Sequence, residues 1–142
     1  MAQLELTCAP APEDVSLIGS ALTAFNEDDV GPKHHMPIAV FIRDTEGKIT
    51  GGLSGYTAWG WLYIQQLIVP ETERGKGLAG KMLLLAEEEA LGRGCHSAWI
   101  DTFNPAALKA YQRAGYAVFG ELADFPTGRT RSFLQKRLAT PQ

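Results

Sequence analysis

The sequence is poor in cysteine and lacks both a run of basic residues and a long apolar segment. Its two cysteines, Cys8 and Cys95, show no C-x-x-C spacing, so we expect two buried free thiols in a reducing compartment rather than a disulfide. No apolar stretch reaches the ~20 residues that a membrane-spanning helix requires. With a net charge of −3, the chain also lacks the basic patch of a nucleic-acid-binding protein. These absences predict a protein that binds neither membranes nor nucleic acids.

The N-terminus lacks the basic start and the apolar core of a secretory signal peptide, which predicts a cytoplasmic protein. The composition is that of an ordinary globular protein, since 45% of the 142 residues are hydrophobic and 20% are charged. This length suffices for one domain with its own core. We therefore expect a single domain over 1–142.

Apolar periodicity and turn residues predict the element order β-α-β-β-β-α-β-α-β-β. The first helix should cover about 12–26, the second should end at Gly92, and the third should start at Asn104. The segment 61–103 is a strand–helix–strand unit, whose strands should be parallel. We therefore expect an α/β (α+β) fold with a mixed, mostly antiparallel twisted sheet and helices on both faces. The predicted strands are 4–7, 38–44, 48–58, 62–69, 96–103, 116–122 and 130–138.

Two further expectations concern charged segments. In the second helix, one face carries the apolar residues, whereas the glutamates at 87–89 should point largely outward. The segment 26–37, NEDDVGPKHHMP, has no apolar period and contains two prolines, so it should form a loop. The residues expected to line the apolar face of the second helix are Ala79, Met82, Leu83, Ala86 and Ala90.

Residues 74–80, RGKGLAG, match the dinucleotide-binding pattern G-x-G-x-x-G. Asp101 follows the glycines by about 20 residues, where that interpretation requires an acid. However, the residues PETE separate the loop from the preceding strand, and too little chain follows for further strand–helix–strand units. A triphosphate-binding loop is excluded, because Gly77 stands where a Ser or Thr would hold magnesium.

A third interpretation is that the loop binds a bulky anion such as pyrophosphate through its main chain. The N–H groups of a helix's first turn converge with the positive end of the helix dipole. Gly75 and Gly77 let the backbone approach the anion closely, and Arg74 and Lys76 add positive charge. The alternative is an ordinary glycine-rich helix start with solvated side chains, and the loop alone does not decide between the two.

Two segments of the chain resemble motifs A and B of the GNAT superfamily of N-acetyltransferases. LIVPETERGKGLAGKML resembles motif A, [RQ]-x-x-G-x-[GA], and FNPAALKAYQRAGY resembles motif B, N-x-x-A-x-x-x-Y-x-x-x-G-[FY]. The motifs have the family's order and separation, and the predicted element order is the family's own. The resemblance favours acyl-CoA as the bound anion. The matching residues are Arg74, Gly77 and Ala79 in motif A, and Asn104, Ala107, Tyr111, Gly115 and Tyr116 in motif B.

The resemblance implies that the chain binds acetyl-CoA as a co-substrate and holds no metal. In GNAT folds the strand predicted here at 62–69 diverges from the strand at 96–103, and the pantetheine arm lies in the gap. The resemblance places Asn104 at this arm and Tyr111 near the sulfur atom. The implied cofactor-binding residues are Leu67, Ile68, Val69, Arg74, Gly75, Lys76, Gly77, Leu78, Ala79, Gly80, Asn104 and Tyr111.

The implied reaction is direct attack of a primary amine on acetyl-CoA within a ternary complex. Tyr111 would protonate the leaving thiolate, unless it is only a core residue. Asn104 is the second catalytic candidate and is equally suited to cap a helix. The general base is open, because many family members have a carboxylate where this chain has Gln65 and Gln66. The candidates are His34, His35, Glu27, Asp28, Asp29, Asp101 and water.

The acceptor implied by the family is a primary amine, either a small molecule or a Lys side chain. The acidic cluster at 27–29 would favour a cationic acceptor, unless it is merely solvated. The turn at 124–126 and Arg129 could border the acceptor pocket, and a homodimer is implied by analogy alone. Two alternatives stay open: a non-catalytic CoA-binding sensor or interaction domain, which the missing strand carboxylate favours, and an NAD-dependent enzyme.

Overall fold

The computed structural model describes residues 1–138, which fall into two compact units, the first over Met1–Lys33 and the second beginning at His34. That these units form one domain stays a prediction. Among the described residues, no helix combines the length and the apolarity needed to cross a membrane.

The first unit contains one helix, α1 (Pro12–Val30), preceded by residues without regular structure. The predicted strand at 4–7 is therefore wrong, since a strand this short is not stable without a neighbouring strand to pair with. The helix also runs past its predicted end at residue 26 and stops at Gly31, whose φ of 92° suits glycine. The acidic residues 27–29 thus lie in the last turn of a helix and not in a loop. Cys8 is exposed, contrary to the prediction, because nothing in the first unit packs around it.

The second unit is an open six-stranded sheet with the strand order β1-β2-β3-β4-β6-β5. The β3–β4 pair is parallel and the other four pairs are antiparallel, which confirms the predicted mixed, mostly antiparallel sheet. The strands are β1 (Met36–Arg43), β2 (Ile49–Ala58), β3 (Trp61–Ile68), β4 (Ser97–Thr102), β5 (Ala117–Ala123) and β6 (Thr130–Arg137).

Two helices, α2 (Leu78–Gly92) and α3 (Pro105–Arg113), share one face of this sheet and enclose a single apolar core. The core forms because alternate strand residues such as Leu62, Ile64 and Leu134 meet the apolar faces of both helices. Cys95 is part of this core, as predicted for a buried free thiol. Helices on both faces of the sheet stay a prediction, since α2 and α3 lie on the same one.

Glu87 of α2 is buried, so its predicted outward orientation is wrong. Glu87 lies one helical turn after Leu83 and therefore falls on the core face of the helix. Its carboxylate is paired on both oxygens: the Tyr116 hydroxyl donates to Oε2 (2.8 Å), and Lys136 Nζ donates to Oε1 (2.7 Å). Lys136 Nζ also donates to the main-chain oxygen of Ala114 (2.8 Å). This network joins α2 to the end of α3 and to β6, so Tyr116 of motif B has a structural role.

The parallel strands β3 and β4 separate before they end. Their pairing runs from Trp61–Ser97 to Ile64–Ile100, whereas β3 continues to Ile68. At the point of separation, the register between β2 and β3 shifts, so that Gln65 is left unpaired as a bulge. A bulge bends its strand and increases the local twist. The bend directs the end of β3 away from β4 and opens a gap between the two strands.

Candidate functional site

A cavity of about 660 Å³ extends from this gap. It is formed by the end of β3, the loop before α2, the first turn of α2 and one face of α3. All the predicted cofactor-binding residues except Lys76 line it, so the structure brings them together on one surface. The lining residues are Leu67, Ile68, Val69, Glu73, Arg74, Gly75, Gly77, Leu78, Ala79, Gly80, Thr102, Asn104, Ala106, Ala107, Ala110, Tyr111, Arg113 and Ala114.

The first turn of α2 presents main-chain donors to this cavity. No side chain caps the helix, which begins after Gly77 and has no acidic residue in its first turn. The N–H groups at such a start have no partner within the helix. Gly75 and Gly77 adopt positive φ values of 79° and 75°, and a Cβ atom at either would meet nothing within 4 Å. The backbone conformation thus favours glycine here, and the space in front of it is open to a ligand.

The two basic residues of this loop have other partners. Arg74 Nε donates to the main-chain oxygen of Val69 (3.0 Å), which ties the loop to the end of β3. Lys76 Nζ forms an ion pair with Glu73 (3.0 Å) on the exposed surface. The loop therefore offers a ligand mainly its main chain, with Arg74 beside it.

Asn104 caps α3 and also lines the cavity. Its Oδ1 accepts hydrogen bonds from the N–H groups of Ala106 (2.8 Å) and Ala107 (3.2 Å). The capping role is thus shown by geometry. A contact with the cofactor stays a prediction.

Tyr111 lies on the cavity side of α3 and is buried, with 4% of its surface exposed. Its hydroxyl has no hydrogen-bond partner in the described part of the chain, and it is not sealed off, since it lines the cavity. Burial, and secondly the negative charge of Asp101, raise the pKa of Tyr111 to about 12. The phenol therefore stays protonated at neutral pH and can donate a hydrogen bond to a negatively charged group in the cavity.

Asp101 lies just beyond the point where β3 and β4 separate. Arg131 of β6 donates to its Oδ1 from Nε (2.9 Å) and Nη2 (2.7 Å). The charge of Asp101 contributes to the raised pKa of Tyr111 on the helix side of the sheet and of Tyr63 on the opposite side. Of the candidate bases, Asp101 is thus one that the structure places near Tyr111.

The two histidines among the candidate bases, His34 and His35, differ in their contacts. The His35 ring packs on the Tyr56 ring (centroid distance 4.6 Å), whereas His34 is exposed with a φ of 53°. Within 1–138 we find no cluster of three or more His, Cys, Asp or Glu side chains suited to a metal ion.

The remaining candidate bases lie in the first unit, whereas the two glutamines lie on β3 where it separates from β4. Glu27, Asp28 and Asp29 belong to α1 in the first unit, where Glu27 accepts a hydrogen bond from the N–H of Lys33 (2.8 Å). On the sheet, Gln66 accepts a hydrogen bond from Ser54 (3.1 Å).

The turn between β5 and β6 borders a second, smaller cavity of about 320 Å³. Arg129 lines it and donates to the main-chain oxygen of Phe103 (3.3 Å), while Phe125 lies beneath the Arg131 guanidinium at 4.5 Å. Asn104 lines both cavities, so the turn is close to the main site, but its predicted part in acceptor binding stays untested.

A row of aromatic rings that no sequence motif predicts lies on the sheet face opposite α2 and α3. Tyr63 stacks on Trp99 (centroids 3.9 Å apart, planes 12° apart), and Tyr56 meets Tyr63 edge-on at 5.5 Å. Beyond these three rings, the His35 ring packs on Tyr56. Apolar alternation along the strands predicts that Tyr56, Tyr63 and Trp99 face away from the core, since each lies between inward-facing residues. That the three rings lie side by side depends on the register of β2, β3 and β4, which the sequence does not show.

Comparison with known proteins agrees with the geometry of the cavity. The model of the acetyltransferase (GNAT) family matches residues 3–116. An acetyltransferase of Agrobacterium fabrum is 45% identical over 120 residues, which are 84% of this chain and 88% of the relative.

Two further comparisons extend the likeness. The blasticidin-S acetyltransferase of Streptomyces morookaense is 34% identical over 101 residues, 70% of this chain and 74% of the relative. The crystal structure of an Agrobacterium tumefaciens protein superposes with a TM-score of 0.91 at 41% identity, covering 96% of this chain and 99% of the other.

Proposed function

This chain belongs to the GNAT family of acetyltransferases, and we propose from that premise that it transfers the acetyl group of acetyl-CoA to a primary amine. The observation that carries the proposal is the cavity at the separation of β3 and β4, where uncapped helix donors and a protonated tyrosine face the same space. The cofactor-binding residues that we assign are those predicted from the sequence, with Lys76 the least supported because it does not line the cavity.

The residues present fit the chemistry of acetyl-CoA. A pyrophosphate is a double anion, which suits the N–H groups and dipole of α2 behind Gly75 and Gly77. The pantetheine arm is an extended amide chain, which suits the main-chain groups at the end of β3 around Leu67, beyond the last pair with β4. The cavity joins these two regions in the order that the cofactor requires.

When bound, acetyl-CoA supplies an acetyl thioester, whose carbonyl carbon forms a bond to the amine nitrogen as the carbon–sulfur bond breaks. Tyr111 then donates a hydrogen bond or proton to the thiolate, and the amine proton leaves to solvent or to Asp101. Asn104 holds the start of α3, and thereby the position of Tyr111, through its cap. A general acid in such a position typically accelerates a reaction by about 10²- to 10⁴-fold.

For the acceptor we propose a small-molecule amine. Support comes from a relative that, by its name, acetylates blasticidin-S, a small molecule. A Lys side chain of a protein is the second candidate. Action in the cytoplasm and assembly as a homodimer stay proposals from the sequence and from family analogy.

The pH dependence of turnover follows from the raised pKa of Tyr111. Because this pKa is about 12, the phenol remains protonated well above the pH at which an ordinary tyrosine ionises, ~10. We expect kcat/KM to rise with pH as the acceptor amine loses its proton, without an alkaline decrease up to about pH 10. The measurement is kcat/KM for one amine from pH 6 to 10, and a decrease centred near pH 9 would contradict the role of Tyr111 as the protonated donor.

Thermal unfolding with acetyl-CoA, CoA or NAD in parallel tests the cofactor assignment. A ligand that binds the folded state stabilises it by about 2.7 kcal/mol at a hundredfold excess over its Kd. We expect acetyl-CoA and CoA each to raise the Tm, and NAD to leave it unchanged. A shift with NAD alone would contradict the proposal and support the dinucleotide interpretation of the glycine loop.

A further inference from the structure

The aromatic row on the sheet face opposite α2 and α3 ends at the proposed acetyl-transfer site. We define the row as Tyr56, Tyr63 and Trp99, on β2, β3 and β4 respectively. Tyr63 and Trp99 are partners in the parallel register, and the pair that follows them, Ile64–Ile100, is the last before the strands separate. The rings therefore lie on the opposite face of the sheet from α2 and α3 and directly beside the gap.

The rings of the row are ordered but not fully buried. Tyr63 and Trp99 stack face to face and Tyr56 packs edge-on, so each ring is held by its neighbour. All three remain partly exposed. Such a preorganised aromatic surface binds a planar group or a cation with little loss of side-chain entropy.

A carboxylate lies where the row meets the gap. Asp101 follows Trp99 by two residues on β4, which puts both side chains on the same sheet face. Both hydrogen bonds from Arg131 end on Oδ1, so Oδ2 has no hydrogen-bond partner among residues 1–138. Arg131 in turn lies over the Phe125 ring at 4.5 Å. The second oxygen is thus available to accept a hydrogen bond from an ammonium group.

We propose that the aromatic row and Asp101 form the acceptor subsite and that they select a primary amine carrying an aromatic ring over one carrying a saturated ring. This inference rests on the proposed acetyltransferase function. The ring of the acceptor packs against Tyr63 and Trp99, and its amino group lies at Asp101, next to the gap that holds the thioester. An amine bound in this way approaches the acetyl group from the sheet face opposite α3, while Tyr111 approaches the sulfur from the helix side.

The test compares 2-phenylethylamine with 2-cyclohexylethylamine as acceptors. Both carry the same primary amine on the same linker, and they differ in whether the six-membered ring is planar and aromatic. An aromatic pair contributes binding free energy beyond that of the apolar area it buries, and this extra contribution corresponds to about a 2- to 10-fold difference in affinity. We expect kcat/KM to be higher for 2-phenylethylamine by about 3- to 10-fold, and Trp99→Leu to bring this ratio close to one without changing the Kd for acetyl-CoA.

Phe119→Leu is the matched control, because Phe119 is an aromatic residue of the sheet that lies outside the row, on β5, and is 55% exposed. It should leave the ratio unchanged. Asp101→Asn should raise the KM for either amine at least tenfold, again with acetyl-CoA binding retained.

Two outcomes separate failure of the inference from failure of the function. Equal kcat/KM for the two amines in the wild type, or an unchanged ratio in Trp99→Leu, would overturn the inference and leave the acetyltransferase function standing. Acetylation of neither these amines nor a lysine peptide, in a protein that still binds acetyl-CoA, would overturn the proposed function and this inference with it.

Discussion

Tyr111→Phe is expected to lower kcat by about two to four orders of magnitude while leaving the Kd for acetyl-CoA nearly unchanged. The substitution removes only the hydroxyl, which has no hydrogen-bond partner among the described residues and faces the cavity. The buried ring keeps its packing against the core, so the fold should be unaffected. The measurement is the steady-state rate of acetyl transfer, together with a direct binding titration of acetyl-CoA.

Tyr116→Phe is the matched control for this result. Tyr116 is a tyrosine just beyond α3, but its hydroxyl donates to the buried Glu87 carboxylate and does not line the cavity. We expect the control to lower stability by about 1–3 kcal/mol, because a buried carboxylate loses a donor, and to leave kcat nearly unchanged. Full activity of Tyr111→Phe would remove Tyr111 from the acid role.

Gly77→Asp is expected to abolish measurable binding of acetyl-CoA and to leave the fold intact. The aspartate would place a negative charge at the start of α2, where the proposed pyrophosphate lies. Two like charges about 4 Å apart repel by about 4 kcal/mol near a protein surface, which corresponds to an affinity loss on the order of a thousandfold. The same charge interacts favourably with the helix dipole, so it should not lower the free energy of unfolding. The measurements are the Kd for acetyl-CoA and the Tm without ligand.

Gly77→Asn separates charge from shape in this experiment. Asparagine matches aspartate in size and tolerates the left-handed conformation with φ of 75°. We expect Gly77→Asn to bind acetyl-CoA at least tenfold more tightly than Gly77→Asp, though more weakly than the wild type. Similar affinities for the two variants would show that no anionic group lies at the start of α2, and the loop assignment would be wrong.

Features that depend on neighbouring residues in the chain could be predicted from the sequence. Asn104 followed by proline predicts a capped helix start, and the structure shows the cap. The strand–helix–strand unit at 61–103 predicts parallel strands, which the β3–β4 pair confirms. The same local signals place the glycine loop before α2, because glycine adopts positive φ values more readily than any other residue.

Features that depend on distant partners could not be predicted in this way. The sequence predicts Glu87 at the surface because a carboxylate is rarely buried without a partner. Its partners in the structure, Tyr116 and Lys136, lie 29 and 49 residues further along the chain. The segment 4–7 has the composition of a strand, but a strand forms only where another strand offers hydrogen bonds. The extent of α1 was underestimated because apolar periodicity ends before the helix does.

The proposed acceptor subsite depends on the register of the sheet. Tyr56, Tyr63 and Trp99 form a row only because of how β2, β3 and β4 align. Asp101 meets Arg131 through the antiparallel pairing of β4 and β6. No local pattern encodes these pairs, and for this reason the sequence predicts the residues of the proposed cofactor site but not the aromatic row.

The most direct test of the proposed function is the release of CoA thiol from acetyl-CoA with and without a primary amine, with mass analysis of the amine. We predict that release requires both the protein and the amine, and that each CoA released corresponds to one N-acetylated amine. If acetyl-CoA binds but a panel of small-molecule amines and a lysine peptide give neither release nor product, the proposed transferase function is contradicted and a CoA-binding sensor is supported.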